Sequence, residues 1–147
     1  VETRIANTNS PWLAGVKVGD IHTIPVSHGE GKFVVTTEEF AELRDNGQIF
    51  SQYVDFEGKP SMDSKYNPNG SVNAIEGITS KNGQIIGKMG HSERFEDGLF
   101  KNIPGNKEQH LFASAVKYFT GNNRASLAHS VMIFFAVAIF LENWRIL

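Results

Sequence analysis

The pair Asn82-Gly83, set between apolar-rich runs at residues 74–79 and 84–89, constrains the fold of this chain more than any other feature. Asn and Gly accept the positive φ angles of a type I′ turn, whose twist suits two antiparallel strands, so a hairpin is expected here. Its second strand runs directly into Gly90-His91-Ser92-Glu93. Side chains two residues apart on an extended segment point the same way, so His91 and Glu93 are expected to serve one site.

The rest of the chain supplies shorter signals. Residues 1–6 and 21–26 suit strands, and Ser27-His28-Gly29-Glu30-Gly31 follows, with two glycines bracketing a polar pair before a strand expected at Phe33-Val34-Val35. Thr36-Thr37-Glu38-Glu39 fits a capping box, in which Thr36 and Glu39 satisfy each other's end of a helix that Asn46-Gly47 stops. Alternation over residues 48–56 favours a strand, and Asn67-Pro68-Asn69-Gly70 a loop. Residues 107–119 place Leu111, Phe112, Ala115, Val116 and Phe119 at helical spacing.

Composition removes several classes of function. With 147 residues, 40% hydrophobic and 20% charged, the chain can bury one core. A net charge of -2, a pI near 6.2 and scattered Lys and Arg give no basic face for nucleic acid. There is no cysteine, hence no disulfide, no thiolate metal site and no thiol nucleophile. The start at Val1-Glu2-Thr3-Arg4 has no signal-peptide pattern and reads as a cut into a longer protein. Residues 131–141 form an unbroken apolar run, short of the roughly 20 residues that span a bilayer. A packing helix, a non-native extension and a membrane-associated segment all stay open for it.

His91 and Glu93 carry the chemistry. An imidazole takes a proton from a nucleophile while a carboxylate behind it fixes the tautomer and stabilises the imidazolium. Taken alone, a His-x-Glu pair is more often a surface ion pair. The glycines around His28 permit close approach of the backbone to a ligand, or simply a tight turn. No second ligand stands at metal spacing from His28, so no metal site is expected, and His22, His110 and His129 have no partner pattern.

Gly90-His91-Ser92-Glu93-Arg94 is similar to the His-Pro-Glu-Arg signature of class I glutamine amidotransferases, whose Cys-His-Glu triad cleaves glutamine. Four further blocks, residues 24–33, Tyr53-Val54-Asp55, residues 67–72 and Gly77-Ile78, resemble in order and spacing the glutaminase domain of phosphoribosylformylglycinamidine synthase, an enzyme of purine biosynthesis. The resemblance covers residues 1–120 and stops before the apolar tail, 121–147.

It implies an α/β, flavodoxin-like fold with a mostly parallel central sheet, to which this part gives the later strands and an antiparallel hairpin. It implies His91 as general base and Glu93 as its orienting partner. Ser27, Gly29 and Glu30 would hold the glutamine, and a synthetase domain or subunit would receive the ammonia. ATP and Mg2+ would belong to that synthetase part, with no cofactor in this chain, and the setting would be cytoplasmic.

The departures matter equally. The family's nucleophile lies well upstream of the histidine, on a strand-to-helix elbow that has no counterpart here, so the chain alone is expected to be inactive. Ser92 stands where many relatives carry Pro. A noncatalytic interaction or regulatory domain on the same scaffold is the alternative reading. Asn67 to Ser71 would line the glutamine pocket, contact the synthetase, or be a plain loop, and Arg94 takes no assigned role.

Overall fold

The computed structural model describes residues 1–27 and 31–121. Five strands form one sheet in the order β2-β1-β3-β4-β5. They are β1 (Glu2–Ile5), β2 (Ile21–Thr23), β3 (Ile49–Val54), β4 (Ile75–Thr79) and β5 (Ile86–Lys88). All four pairings are antiparallel, so the parallel strands implied by the resemblance are not among the described residues.

Strand β3 lies at the centre, and Ile49, Phe50, Ser51, Tyr53 and Val54 are all buried along it. Burial on both faces explains why alternation in this segment is blurred: each face must be apolar or internally satisfied. Phe50 joins Ile5, Leu13, Val16 and Leu111 in the main core cluster. That cluster is closed by α2 (Leu111–Gly121) and by a 3-10 turn at Pro11–Leu13. Trp12 meets the edge of Phe112 with ring centroids 6.1 Å apart. Helix α2 buries Leu111 and Ala115 but leaves Val116 50% exposed, so only part of its apolar stripe is covered.

Helix α1 (Thr37–Asp45) starts as its sequence dictates. The Thr36 hydroxyl accepts from Glu39 N–H at 3.2 Å, and Glu39 accepts from Thr36 N–H at 2.8 Å. Asn46 closes the helix and Gly47 follows at φ 63, a left-handed stop. The segment Phe33-Val34-Val35 has no regular secondary structure and is not part of the sheet, contrary to its strand pattern. Its backbone is engaged elsewhere: Phe33 N–H donates to Ser71 Oγ at 3.1 Å, and Val72 N–H to the Phe33 carbonyl at 2.9 Å.

The hairpin is present with a different turn from the one its sequence suggests. Thr79 pairs with Ile86, Ser80 N–H donates to the Ile85 carbonyl at 2.9 Å, and Gly83 N–H to the Ser80 carbonyl at 2.8 Å. Gly83 has φ 70 while Asn82 is not left-handed, which excludes a type I′ turn. The longer turn arises from its surroundings, because it is laid on the N-terminal segment. Ser10 Oγ donates to the Gly83 carbonyl at 2.6 Å and Trp12 Nε1 to the Gln84 carbonyl at 2.8 Å. A Cβ on Gly83 would lie 2.4 Å from the Asn9 carbonyl oxygen.

Candidate functional site

Beyond Lys88 the chain leaves β5 and turns. Gly90 N–H donates to Glu76 Oε1 at 2.8 Å, His91 N–H to the Pro25 carbonyl at 3.0 Å, and residues Ser92–Arg94 form one 3-10 turn. His91 is the residue that caps this turn, at φ -97 and ψ 79. The expected geometry of two side chains on one face of a strand is therefore corrected. His91 and Glu93 do meet, with Nδ1 2.6 Å from Oε1, because the turn folds the carboxylate back onto the ring. The hydrogen bond uses Nδ1, and Nε2 has no hydrogen-bond partner among the described residues.

The electrostatics suit that arrangement. Partial burial pushes the Glu93 carboxyl upward, but the His91 hydrogen bond, its own backbone N–H and the charges of His91 and Lys88 outweigh it. The net shift is downward. Glu93 is thus held as a carboxylate, the form that supports an imidazolium. Arg94 Nε lies 3.9 Å from Glu93 Oε1, and its guanidinium donates to the Ser27 hydroxyl. The structure thus brings Ser27 beside the turn that carries His91 and Glu93. Gly29 and Glu30, the other candidate glutamine contacts, lie outside the described residues. So does His28.

Beneath the turn is a buried ion pair that sequence reasoning missed. The Glu76 side chain is 0% exposed and that of Lys88 11%, with Nζ 3.1 Å from Oε1. Lys88 also donates to the Gly90 carbonyl at 3.0 Å and to Ser92 Oγ at 2.7 Å. The Ser92 hydroxyl donates in turn to the side-chain carbonyl of Gln109. Glu76 accepts from the Ser51 hydroxyl through its second oxygen. The available signal was a single acid inside Ala74-Ile75-Glu76-Gly77-Ile78 and a single base in Ile85-Ile86-Gly87-Lys88, each alone in an otherwise apolar strand.

The loop after β3 is occupied with its own structure. Asn67 is fully buried; its side chain donates to the Ser71 carbonyl at 2.8 Å and accepts from Ser71 N–H at 3.0 Å. Asn69 donates to the Gly31 carbonyl at 3.3 Å, so this loop reaches Gly31. Among the described residues no three His, Cys, Asp or Glu side chains converge as metal ligands. None of the described helices is long and apolar enough to cross a membrane. The apolar tail, residues 122–147, lies outside the described residues.

The architecture is the mixed α/β fold of class I glutamine amidotransferases. It resembles a chain of the structure of PurLQS from Thermotoga maritima with a TM-score of 0.56 at 24% identity, covering 81% of this chain and 46% of that one. Residues 1–119 match the CobB/CobQ-like glutamine amidotransferase domain, and the chain belongs to that family. Among curated proteins, subunit PurQ of phosphoribosylformylglycinamidine synthase from Thermomicrobium roseum is 40% identical over 97 residues, 66% of this chain and 40% of that protein. The same subunit from Methanosarcina mazei is 34% identical over 119 residues, 81% of this chain and 49% of that protein. The chain thus spans less than half the length of either relative.

Proposed function

We propose that this chain provides the histidine and carboxylate of a glutaminase centre that delivers ammonia for amidine formation in purine biosynthesis. The observation that carries the reading is the 2.6 Å contact from His91 Nδ1 to Glu93 Oε1, which fixes the ring with Nε2 available for proton transfer. The relatives named as PurQ support the choice of reaction.

In this reaction His91 accepts the proton of a cysteine thiol, and the thiolate adds to the side-chain amide carbon of glutamine. Collapse of the adduct breaks the carbon–nitrogen bond as the imidazolium returns its proton to the departing ammonia. Water then hydrolyses the thioester to glutamate and regenerates the thiol. Ser27, Gly29 and Glu30 are the proposed contacts for glutamine. No cysteine occurs in the 147 residues, so the thiol comes from another segment or chain, and this polypeptide alone is inactive. The proposed partner is the synthetase part of the same cytoplasmic enzyme, which binds ATP and Mg2+.

The missing cysteine also supports a second reading, a noncatalytic amidotransferase-like domain that docks on a synthetase and regulates it. One experiment separates the two. The chain is combined with the cysteine-bearing N-terminal half of a PurQ relative, and glutamate release is measured. The catalytic reading predicts hydrolysis that His91→Ala abolishes; well-folded halves that associate without hydrolysis support the regulatory reading.

A further inference from the structure

The pair Glu76–Lys88 is unusual because it is desolvated, bound to the backbone of Gly90 just before His91, and bound to the side chain of Ser92 just after it. Glu76 holds the N–H of Gly90, and Lys88 holds its carbonyl. One residue past His91, Lys88 holds the Ser92 hydroxyl, which is itself fixed on Gln109. The ammonium thus donates to two acceptors while its charge is paired with Glu76 at 3.1 Å, and a buried charge held from three sides has little freedom. Gly90 completes the device, since a Cβ there would lie 2.9 Å from Glu76 Oε1 and 2.7 Å from Ile24 Cγ2. Only glycine lets the carboxylate reach the backbone.

Ser92 is the residue at which this chain departs from the His-Pro-Glu-Arg pattern. A proline there stiffens the backbone through its ring. As the first residue of the 3-10 turn, Ser92 occupies a position where an N–H has no intrahelical partner and a proline is tolerated. Here the same stiffening is achieved by hydrogen bonds.

We propose that Glu76, Lys88 and Ser92 are positioning residues that hold the turn carrying His91 and Glu93, doing by a buried ion pair what a ring does at this position in other relatives. The proposal rests on the glutaminase reading for its kinetic consequence, but not for its structural one.

The test compares Glu76→Gln/Lys88→Met, which removes both charges together, with the same variant carrying Ser92→Pro. In the 147-residue chain, the imidazole Nδ1 proton of His91 is followed by NMR. It should be sharp in the wild type, lost by exchange in the double variant, and recovered in the triple. In the reconstituted glutaminase, kcat should fall about tenfold to a hundredfold in the double variant, while KM changes by less than about twofold and Ser92→Pro restores the rate.

An unchanged Nδ1 proton in a folded double variant overturns the proposal. So does a loss that Ser92→Pro does not recover, since that is the behaviour of a merely stabilising pair. If the wild-type reconstitution shows no hydrolysis, the glutaminase reading fails while the NMR arm still decides the positioning. Should the double variant not fold, Ser92→Ala leaves both charges paired and must weaken the same proton signal; if it does not, the proposal falls.

Discussion

Replacing Lys88 by methionine tests the buried ion pair directly. The substitution keeps the aliphatic stem but removes the ammonium, leaving Glu76 with a side chain that is 0% exposed and only the Gly90 N–H and the Ser51 hydroxyl to stabilise it. Breaking one side of a buried pair costs about 3–5 kcal/mol, because the remaining charge is desolvated without its partner. For a domain of this size, 1 kcal/mol is about 4 °C in Tm, so Lys88→Met should lower Tm by about 12–20 °C. Removing both charges should behave differently. In Glu76→Gln/Lys88→Met the amide oxygen still accepts from Gly90, no unpaired charge is left, and the loss should stay below about 2 kcal/mol. Urea denaturation of the three proteins at pH 7, with equal m-values, measures both differences. If Lys88→Met costs under 1 kcal/mol, or the double variant costs as much as the single one, the charges are effectively hydrated and the reasoning is wrong.

Three further outcomes follow from the same structure. Gly83→Ala should destabilise by about 1–3 kcal/mol in urea, from a left-handed φ of 70 combined with the approach to the Asn9 carbonyl, whereas Asn82→Ala should lose much less. His22 is buried, and burial lowers its pKa from 6.5. The unfolded chain therefore binds a proton below pH 6.5 that the folded one refuses, and stability present above that value should decline on acidification by at most about 1.4 kcal/mol per pH unit. His22→Gln should flatten that slope in denaturation curves taken between pH 7 and pH 5. Glu93 has its carboxyl held below 4.5, so the stabilising contact to His91 is fully present above that value and is lost as pH falls through the lower folded one. A carboxyl carbon titration by NMR should show this midpoint below the ordinary glutamate range, and His91→Ala should move it up.

Features built from neighbouring residues were legible in the sequence. The Thr36–Glu39 capping box, the Gly47 stop and the hairpin around Gly83 are local, so their physics is contained in a few adjacent side chains. The proximity of His91 to Glu93 was also legible, but for the wrong geometric reason. An extended segment and a 3-10 turn both bring the second residue near the first, and nothing local distinguishes them. What separates them is long-range, namely the carbonyl of Pro25 and the carboxylate of Glu76 taking the N–H groups of His91 and Gly90. The strand expected at Phe33-Val34-Val35 failed likewise: its apolar pattern was real, but its backbone groups are claimed by Ser71 and Val72 rather than by the sheet. Buried pairs such as Glu76–Lys88 are hardest to see in a sequence, because each residue alone reads as an ordinary surface charge.

Strand β5 stands at the margin of the sheet, with Ile86, Gly87 and Lys88 hydrogen-bonded on one side only. A rim strand so short would ordinarily fray, and its amides would trade hydrogen for deuterium through small local openings. This one is pinned at its start through Ser10 and Trp12, more than 70 positions away in the chain, and at its end through Glu76. Its inward-facing amides should therefore exchange only when the N-terminal segment detaches as well, tying this half of the boundary strand to the first residues of the chain.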